Sequence, residues 1–203
     1  MKRVICVFIS VFMMFNFVAC SENQFRNLVS FTEKFNKASD SFKVEYEDYI
    51  TDGENTYSLF FPKESGDVLL SIKESEPDRI EQIRVLVGKY DTDGKEKQIS
   101  QGEYNVFLSV AKSAVMAYTG YDESKTQGIL NELTLYNYET IKKQGELNKT
   151  TEEFHFVFYS DSLVSMFTVT NNWLLPVSDT EKPESVPYFG ATTNVDGESI
   201  KLK

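Results

Sequence analysis

Cysteine and histidine are scarce in this chain of 203 residues. Both cysteines, Cys6 and Cys20, lie in the first twenty residues, so the chain after Cys20 offers no thiol for a disulfide, a thiolate metal site or a cysteine nucleophile. A single imidazole, His155, excludes a zinc site built from several histidines and leaves one candidate base for a Ser-His-Asp triad. We therefore expect the chain after Cys20 to fold without a disulfide, metal or cofactor.

Basic residues are also fewer than acidic residues. Lysine and arginine number 21 against 31 aspartates and glutamates, which gives a formal net charge of −10. An acidic surface repels phosphate backbones and anionic lipid headgroups. We therefore expect no nucleic-acid partner, and attachment to a membrane would have to come from a lipid. The sequence also contains no internal repeat and no glycine-rich phosphate loop.

The N-terminus differs in character from the rest of the chain. Lys2 and Arg3 precede an apolar run at 4–19 that only Ser10 and Asn16 interrupt. This run is shorter than the roughly 20 residues that a helix needs to span a bilayer. A positive start followed by a short apolar run is typical of a cleavable export signal.

The stretch FVAC at 17–20 ends this apolar run. Val18 and Ala19 are small enough for a signal peptidase cleft, and Cys20 follows them directly. With Phe17 in place of the usual leucine, the stretch resembles the lipobox of bacterial lipoproteins, and the resemblance covers residues 1–20 only. It implies that the signal peptide at 1–19 is removed and that Cys20 carries a diacylglycerol. The alternatives are an uncleaved signal anchor and cleavage farther downstream.

That resemblance also implies a location and a partner. The protein would be lipid-anchored in the cell membrane or the outer membrane and would face outside the cytoplasm. An acyl chain contributes about 0.8 kcal/mol for each buried methylene, so the two or more chains on a lipoprotein cysteine hold the protein in the membrane. The membrane is therefore the first expected partner, reached through the lipid on Cys20.

The first half of the mature chain predicts one helix and four strands. Apolar residues at helical spacing indicate a helix over about 23–38, with Phe25, Leu28, Val29 and Phe35 on one face and Phe31 beside it. The strands are predicted at 42–50, 56–61, 67–75 and 79–91, with the first two joined as a hairpin through 51–55. Consecutive strands of this kind favour an antiparallel sheet.

The second half predicts two helices and two strands. Ser100 and Glu103 form a capping-box pattern for a helix that ends at Gly120, and a shorter helix begins near Asp122. Strands follow on either side of a turn at 160–162. Alternation places Phe154, Phe156 and Phe158 on one face of the first of these strands, and His155, Val157 and Tyr159 on the other.

These elements predict an α+β fold. An antiparallel sheet would be packed on one face by helices, in the order α-β-β-β-β-α-α-β-β. The predicted domains are a single α+β domain at 20–177 and an irregular C-terminal tail at 178–203. The loop at 91–98 carries Asp91, Asp93 and Gly94, but Lys95 and Gly102 stand where an EF-hand needs oxygen ligands, so a turn without metal is predicted.

No catalytic constellation emerges from the sequence. His155 lies on a strand without Ser or Asp at motif spacing, which favours a structural role. We therefore expect a binding or envelope-assembly lipoprotein, not an enzyme, whose partner is an envelope protein, a glycan or a small ligand. The alternative is a carboxylate-dependent envelope hydrolase that uses Glu45 and Glu47 on one strand face. Cys20 is the one site residue assigned, as the lipid attachment point.

The lipid anchor generates the first testable prediction. Replacing the thiol in Cys20→Ser should abolish acylation, so the variant should lose the lipid mass and move from the detergent phase to the aqueous phase. Detergent partitioning and mass spectrometry of the N-terminus measure both effects, with Cys6→Ser as the matched control. A Cys20→Ser protein that stays in the detergent phase with the same processed mass would contradict the anchor.

Overall fold

A computed structural model describes residues 27–52, 55–62, 67–76, 79–89 and 95–172. The predicted signal peptide, Cys20, the N-terminal part of the first helix, the loop at 91–94 and the tail at 178–203 lie outside these residues. The described helices are α1 (Leu28–Ala38), α2 (Gln101–Thr119) and α3 (Glu123–Glu132). The described strands are β1 (Ile50–Thr51), β2 (Thr56–Phe61), β3 (Val68–Glu76), β4 (Arg79–Gly88), β5 (Gly145–Thr150), β6 (Phe154–Ser160) and β7 (Val164–Asn171).

The seven strands form one antiparallel sheet in the order β1-β2-β3-β4-β7-β6-β5. Strands β1 to β4 are sequential neighbours, and β7 pairs with β4 so that β5 becomes the far edge. Helices α2 and α3 lie in the connection from β4 to β5. The predicted α+β fold, with helices packed on an antiparallel sheet, is confirmed.

Local capping explains where the helices begin and end. Ser100 Oγ accepts a hydrogen bond from the Glu103 amide at 3.1 Å, and Glu103 Oε2 accepts one from the Ser100 amide at 2.6 Å. Gly120 ends α2 at φ 72°, a left-handed conformation that costs glycine little. The side chains of Asp122 and Asn27 each accept a hydrogen bond from a backbone amide in the first turn, at the N-termini of α3 and α1. Within the described part of the chain, no helix combines the length and apolarity needed to cross a bilayer.

The core lies between α2 and one face of the sheet. Ten residues of α2 are buried, and the helix contacts α1, α3, β3 and β4. Phe107 is fully buried, and its ring centroid lies 6.4 Å from that of Phe158 in an edge-on arrangement. Phe154, Phe156 and Phe158 all face this core, as the alternation of β6 predicted. Small residues of α2 such as Ala111 and Ala114 allow its backbone to approach its neighbours closely.

The strand predicted at 42–50 is wrong. Residues Tyr46–Asp48 form a turn of 3-10 helix, and β1 contains only two residues. The reason is that Val44 bonds outside the sheet: its amide donates to Asn36 Oδ1 and its carbonyl accepts from Asn36 Nδ2, both at 2.8 Å. The Asp48 carboxylate also accepts from the Glu45 amide at 2.7 Å, which closes the turn.

Two further expectations need correction. Val29 was expected on the buried face of α1, but it is 54% exposed, while Phe31 is buried at 1%. No strand was predicted at 145–150, but this segment forms β5 at the edge of the sheet, so three strands and not two follow the helices. An edge strand can pair through its backbone while its side chains remain polar, so β5 lacks the apolar alternation that identifies strands.

The packing of α2 generates the second prediction. Phe107→Ala should lower the free energy of unfolding by about 3 to 5 kcal/mol, because it leaves a cavity among side chains that are themselves buried. Urea unfolding followed by circular dichroism measures this change. Val29→Ala on the exposed face of α1 is the control and should change stability by less than about 0.5 kcal/mol. Equal effects of the two substitutions would contradict the position of the core.

Candidate functional site

One face of the sheet carries no helix from the described residues. The helices share a core cluster with one set of strand side chains, and the alternate side chains point the other way. We call this second surface the open face. The register of the strands places on it Thr56, Ser58, Phe60, Leu69, Ser71, Lys73, Gln82, Arg84, Leu86, Met166, Thr168, Thr170, His155, Val157, Tyr159, Glu146, Asn148 and Thr150.

An apolar strip crosses the open face from β2 to β6. It consists of Phe60, Leu69, Leu86, Met166 and Tyr159, each directly opposite the next in the strand register. The three central side chains pack together and are only 4% to 7% exposed, whereas Phe60 at one end is 36% exposed. This cluster is separate from the core beneath the helices. The sheet therefore has an apolar contact on each of its faces.

A polar row runs parallel to the strip, one residue per strand. Its members are Thr56, Lys73, Gln82, Thr170, His155 and Thr150. Gln82 Nε2 donates to Thr170 Oγ1 at 3.2 Å, and Thr150 Oγ1 lies 2.8 Å from His155 Nδ1. Ser58, Ser71, Arg84 and Thr168 stand between the polar row and the apolar strip. The open face is thus divided into a polar and an apolar half.

A shallow depression lies in the polar half. Thr56, Ser71, Lys73, Gln82 and Arg84 line a volume of about 40 Å³. Sites for drug-sized molecules usually enclose at least about 300 Å³, so this depression fits one small polar group. Every side chain that lines it carries a hydrogen-bond donor. The sequence did not identify these residues as a group because they come from three strands, and their proximity depends on strand register.

The carboxylate pair proposed from the sequence is not assembled as expected. Glu45 precedes the 3-10 turn and Glu47 lies within it, and both side chains are exposed. A carboxylate hydrolase needs two carboxyl groups that face each other across the scissile bond. Because residues 42–50 do not form the predicted strand, the shared strand face on which that hypothesis was based is absent.

His155 lies in the polar row and is half-buried. Its Nδ1 is paired with the hydroxyl of Thr150 on the neighbouring edge strand, and its register partner on β7 is Thr170. This arrangement orients the ring through a hydroxyl, whereas a catalytic triad uses a carboxylate. Among the described residues, no three side chains of His, Cys, Asp or Glu are grouped so as to hold a metal ion.

The structure also brings together a lysine and two serines that the sequence did not indicate. Lys89 Nζ donates to Ser160 Oγ at 3.0 Å, and Ser165 Oγ lies 2.9 Å from the same oxygen. Burial lowers the pKa of Lys89, while the negative charges of Asp161 and Glu96 oppose that shift. Lys89 and Ser160 are 71 positions apart in the chain, so no local motif predicts the contact.

Burial decides the role of this Lys-Ser network. A lysine beside a serine can activate the hydroxyl as a nucleophile, but the hydroxyl must then reach a substrate. Ser160 and Ser165 are 1% and 0% exposed, and Ser160 Oγ donates to the carbonyl of Ile141 at 3.1 Å. The network therefore joins the end of the β6–β7 hairpin to β4 and to the turn before β5.

The comparisons with known proteins do not assign a family. No protein-family model, curated protein or solved structure gives a significant match to this chain. The features of this chain that bear on function are therefore the geometry and chemistry of the open face and the resemblance at the N-terminus.

The Lys-Ser network generates the third prediction. Ser160→Ala should lower the free energy of unfolding by about 1 to 3 kcal/mol, because it removes a buried hydrogen-bond partner of Lys89. Chemical denaturation measures the change, and Ser162→Ala at the exposed turn beside it is the control. A Ser160→Ala protein of unchanged stability would contradict the structural role.

Proposed function

We propose that this chain is a lipid-anchored extracytoplasmic binding or envelope-assembly lipoprotein that engages an envelope protein through the open face of its sheet. The observation that carries this proposal is the accessible end of the apolar strip, where Phe60 is 36% exposed on a sheet face without a described helix. Aromatic side chains of this kind are enriched in protein interfaces.

The dimensions of the open face favour a protein over a small ligand. Six neighbouring strands of the sheet, β2, β3, β4, β7, β6 and β5, contribute side chains to it. Adjacent strands lie about 4.8 Å apart, so the face is about 24 Å wide. The depression of about 40 Å³ is too small for a drug-sized ligand.

Charge supports the same choice of partner. The chain has a net charge of −10, which disfavours nucleic acid and anionic membranes as binding surfaces. The open face nevertheless places two cations on adjacent strands. Arg84 lies in the row next to the apolar strip, and Lys73, which pairs with Glu81, lies in the polar row. An apolar protein surface bordered by acidic side chains would complement this pattern.

The lipobox resemblance implies that the partner would be bound near the membrane. Helix α1 begins at Leu28, eight residues after Cys20, and eight extended residues span at most about 28 Å. A domain attached through Cys20 would therefore stay close to its membrane. The partner would be another envelope protein at the same surface, held at high local concentration because both proteins are confined there.

Site-specific photocrosslinking in cells tests the proposal and is the fourth prediction. A photoreactive phenylalanine at position 60 should crosslink to one exported protein, because Phe60 is the accessible end of the apolar strip at 36% exposure. The same group at position 147 is the control, since Leu147 is 39% exposed but belongs to the opposite face of the sheet. Mass spectrometry identifies the crosslinked product.

The outcomes separate the possible occupants of the face. A discrete adduct with one exported protein from position 60, absent from position 147, supports the proposal. Adducts with a second copy of this chain, with lipid only, or with the same proteins from both positions would overturn it. Thermal unfolding of both labelled proteins shows whether each retains the native fold.

A further inference from the structure

A modification motif lies on the edge strand β5. The sequence Asn148-Lys149-Thr150 has the form Asn-x-Ser/Thr, with a residue other than proline in the middle. This pattern is the acceptor for N-linked glycosylation of exported proteins. The bacterial form of the motif adds an acidic residue two positions before the asparagine, and Glu146 occupies that position. Asn148 is the one asparagine of the chain that has serine or threonine two residues later.

The geometry of β5 presents the whole motif on one side. Glu146, Asn148 and Thr150 are alternate residues of the strand, so their side chains all lie on the open face. All three residues are exposed. β5 is the last strand of the sheet, and no other strand from the described part of the chain covers its outer edge. A transferase that binds an extended segment can therefore read the three side chains together.

The folded sheet accommodates a glycan at Asn148. The Asn148 side chain faces solvent, whereas Asn36 uses both its amide nitrogen and its oxygen to bond the Val44 backbone at 2.8 Å. A sugar on the Nδ2 of Asn148 would extend from the sheet without displacing a buried group. The Thr150 hydroxyl lies 2.8 Å from His155 Nδ1 in the folded sheet. Recognition of that hydroxyl therefore belongs to the exported chain before β5 pairs with β6.

A glycan at this position would also protect the edge of the sheet. An edge strand exposes backbone N–H and C=O groups that can pair with another chain. β5 is six residues long and keeps a continuous register with β6, so it offers a regular template for such pairing. A large hydrated group on Asn148 would prevent another strand from approaching. It would leave Phe60 accessible, because the two residues are separated by five strand spacings, or about 24 Å.

We propose that Asn148 is an N-glycosylation site whose substrate is an oligosaccharide carried on a polyisoprenoid pyrophosphate. In the transfer, Nδ2 of Asn148 forms a bond to the anomeric carbon of the sugar and gives up one proton to a base of the transferase. The bond from that carbon to the pyrophosphate oxygen breaks, and the lipid pyrophosphate leaves with the electron pair. The inference rests on the proposed function for export, because the transfer takes place outside the cytoplasm.

Mass spectrometry of the full chain, purified from the cells that export it, tests the site. One oligosaccharide mass is expected on the peptide that contains Asn148. Asn148→Gln and Thr150→Val should each remove that mass, whereas Thr150→Ser should keep it because serine preserves the motif. Asn131→Gln is the matched control, since Asn131 is an exposed asparagine of α3 outside any such motif and should not affect the added mass.

Two results would overturn the site. One is a native chain without added mass on the Asn148 peptide. The other is an added mass that survives Asn148→Gln, because the sugar would then be linked to a different residue.

These results are independent of the protein partner. A chain without the glycan that still crosslinks from position 60 rejects the site and keeps the partner. A glycosylated chain without that crosslink keeps the site and rejects the partner. Lipid mass on Cys20 in the same sample shows that the chain was exported, so a missing glycan then counts against Asn148 alone.

Discussion

The packing of α2 against the phenylalanine-rich face of the sheet is the contact on which the rest of the structure depends. Phe107 meets Phe158 of β6, and the buried residues of α2 also contact α1, α3, β3 and β4. Burial of these aromatic rings removes the largest apolar side chains from water and so supplies much of the folding free energy. Because the described helices pack on one face of the sheet, the side chains on the opposite face contact mainly one another.

The open face combines an apolar strip with a polar row. Leu69, Leu86 and Met166 at the centre of the strip pack on one another and are 4% to 7% exposed, whereas Phe60 at its end is 36% exposed. In the polar row, Lys73 forms an ion pair with Glu81, and Gln82 donates to Thr170. Both halves are therefore stabilised mainly by contacts between neighbouring strands.

Two polar groups in this fold show why proximity alone does not make a catalytic site. Lys89, Ser160 and Ser165 have the residue types and distances of a lysine-activated serine, yet both hydroxyls are buried and the Ser160 hydroxyl donates to the carbonyl of Ile141. His155 is accessible but is held by a threonine hydroxyl. Chemistry requires a reactive group that is both activated and reachable, and neither group meets both conditions.

Contacts between residues near in sequence were predictable from the sequence: the Ser100–Glu103 capping box, the left-handed Gly120 that ends α2, and the alternation that buries Phe154, Phe156 and Phe158. Tertiary structure alone decided the pairing of β4 with β7 and the edge position of the polar strand β5. It also decided that the Asn36 side chain forms hydrogen bonds with the Val44 backbone, which prevents a strand at 42–50. Caps and alternation depend on backbone geometry within a few residues, whereas strand order and cross-strand neighbours depend on which distant surfaces pack together, a choice that no local pattern encodes.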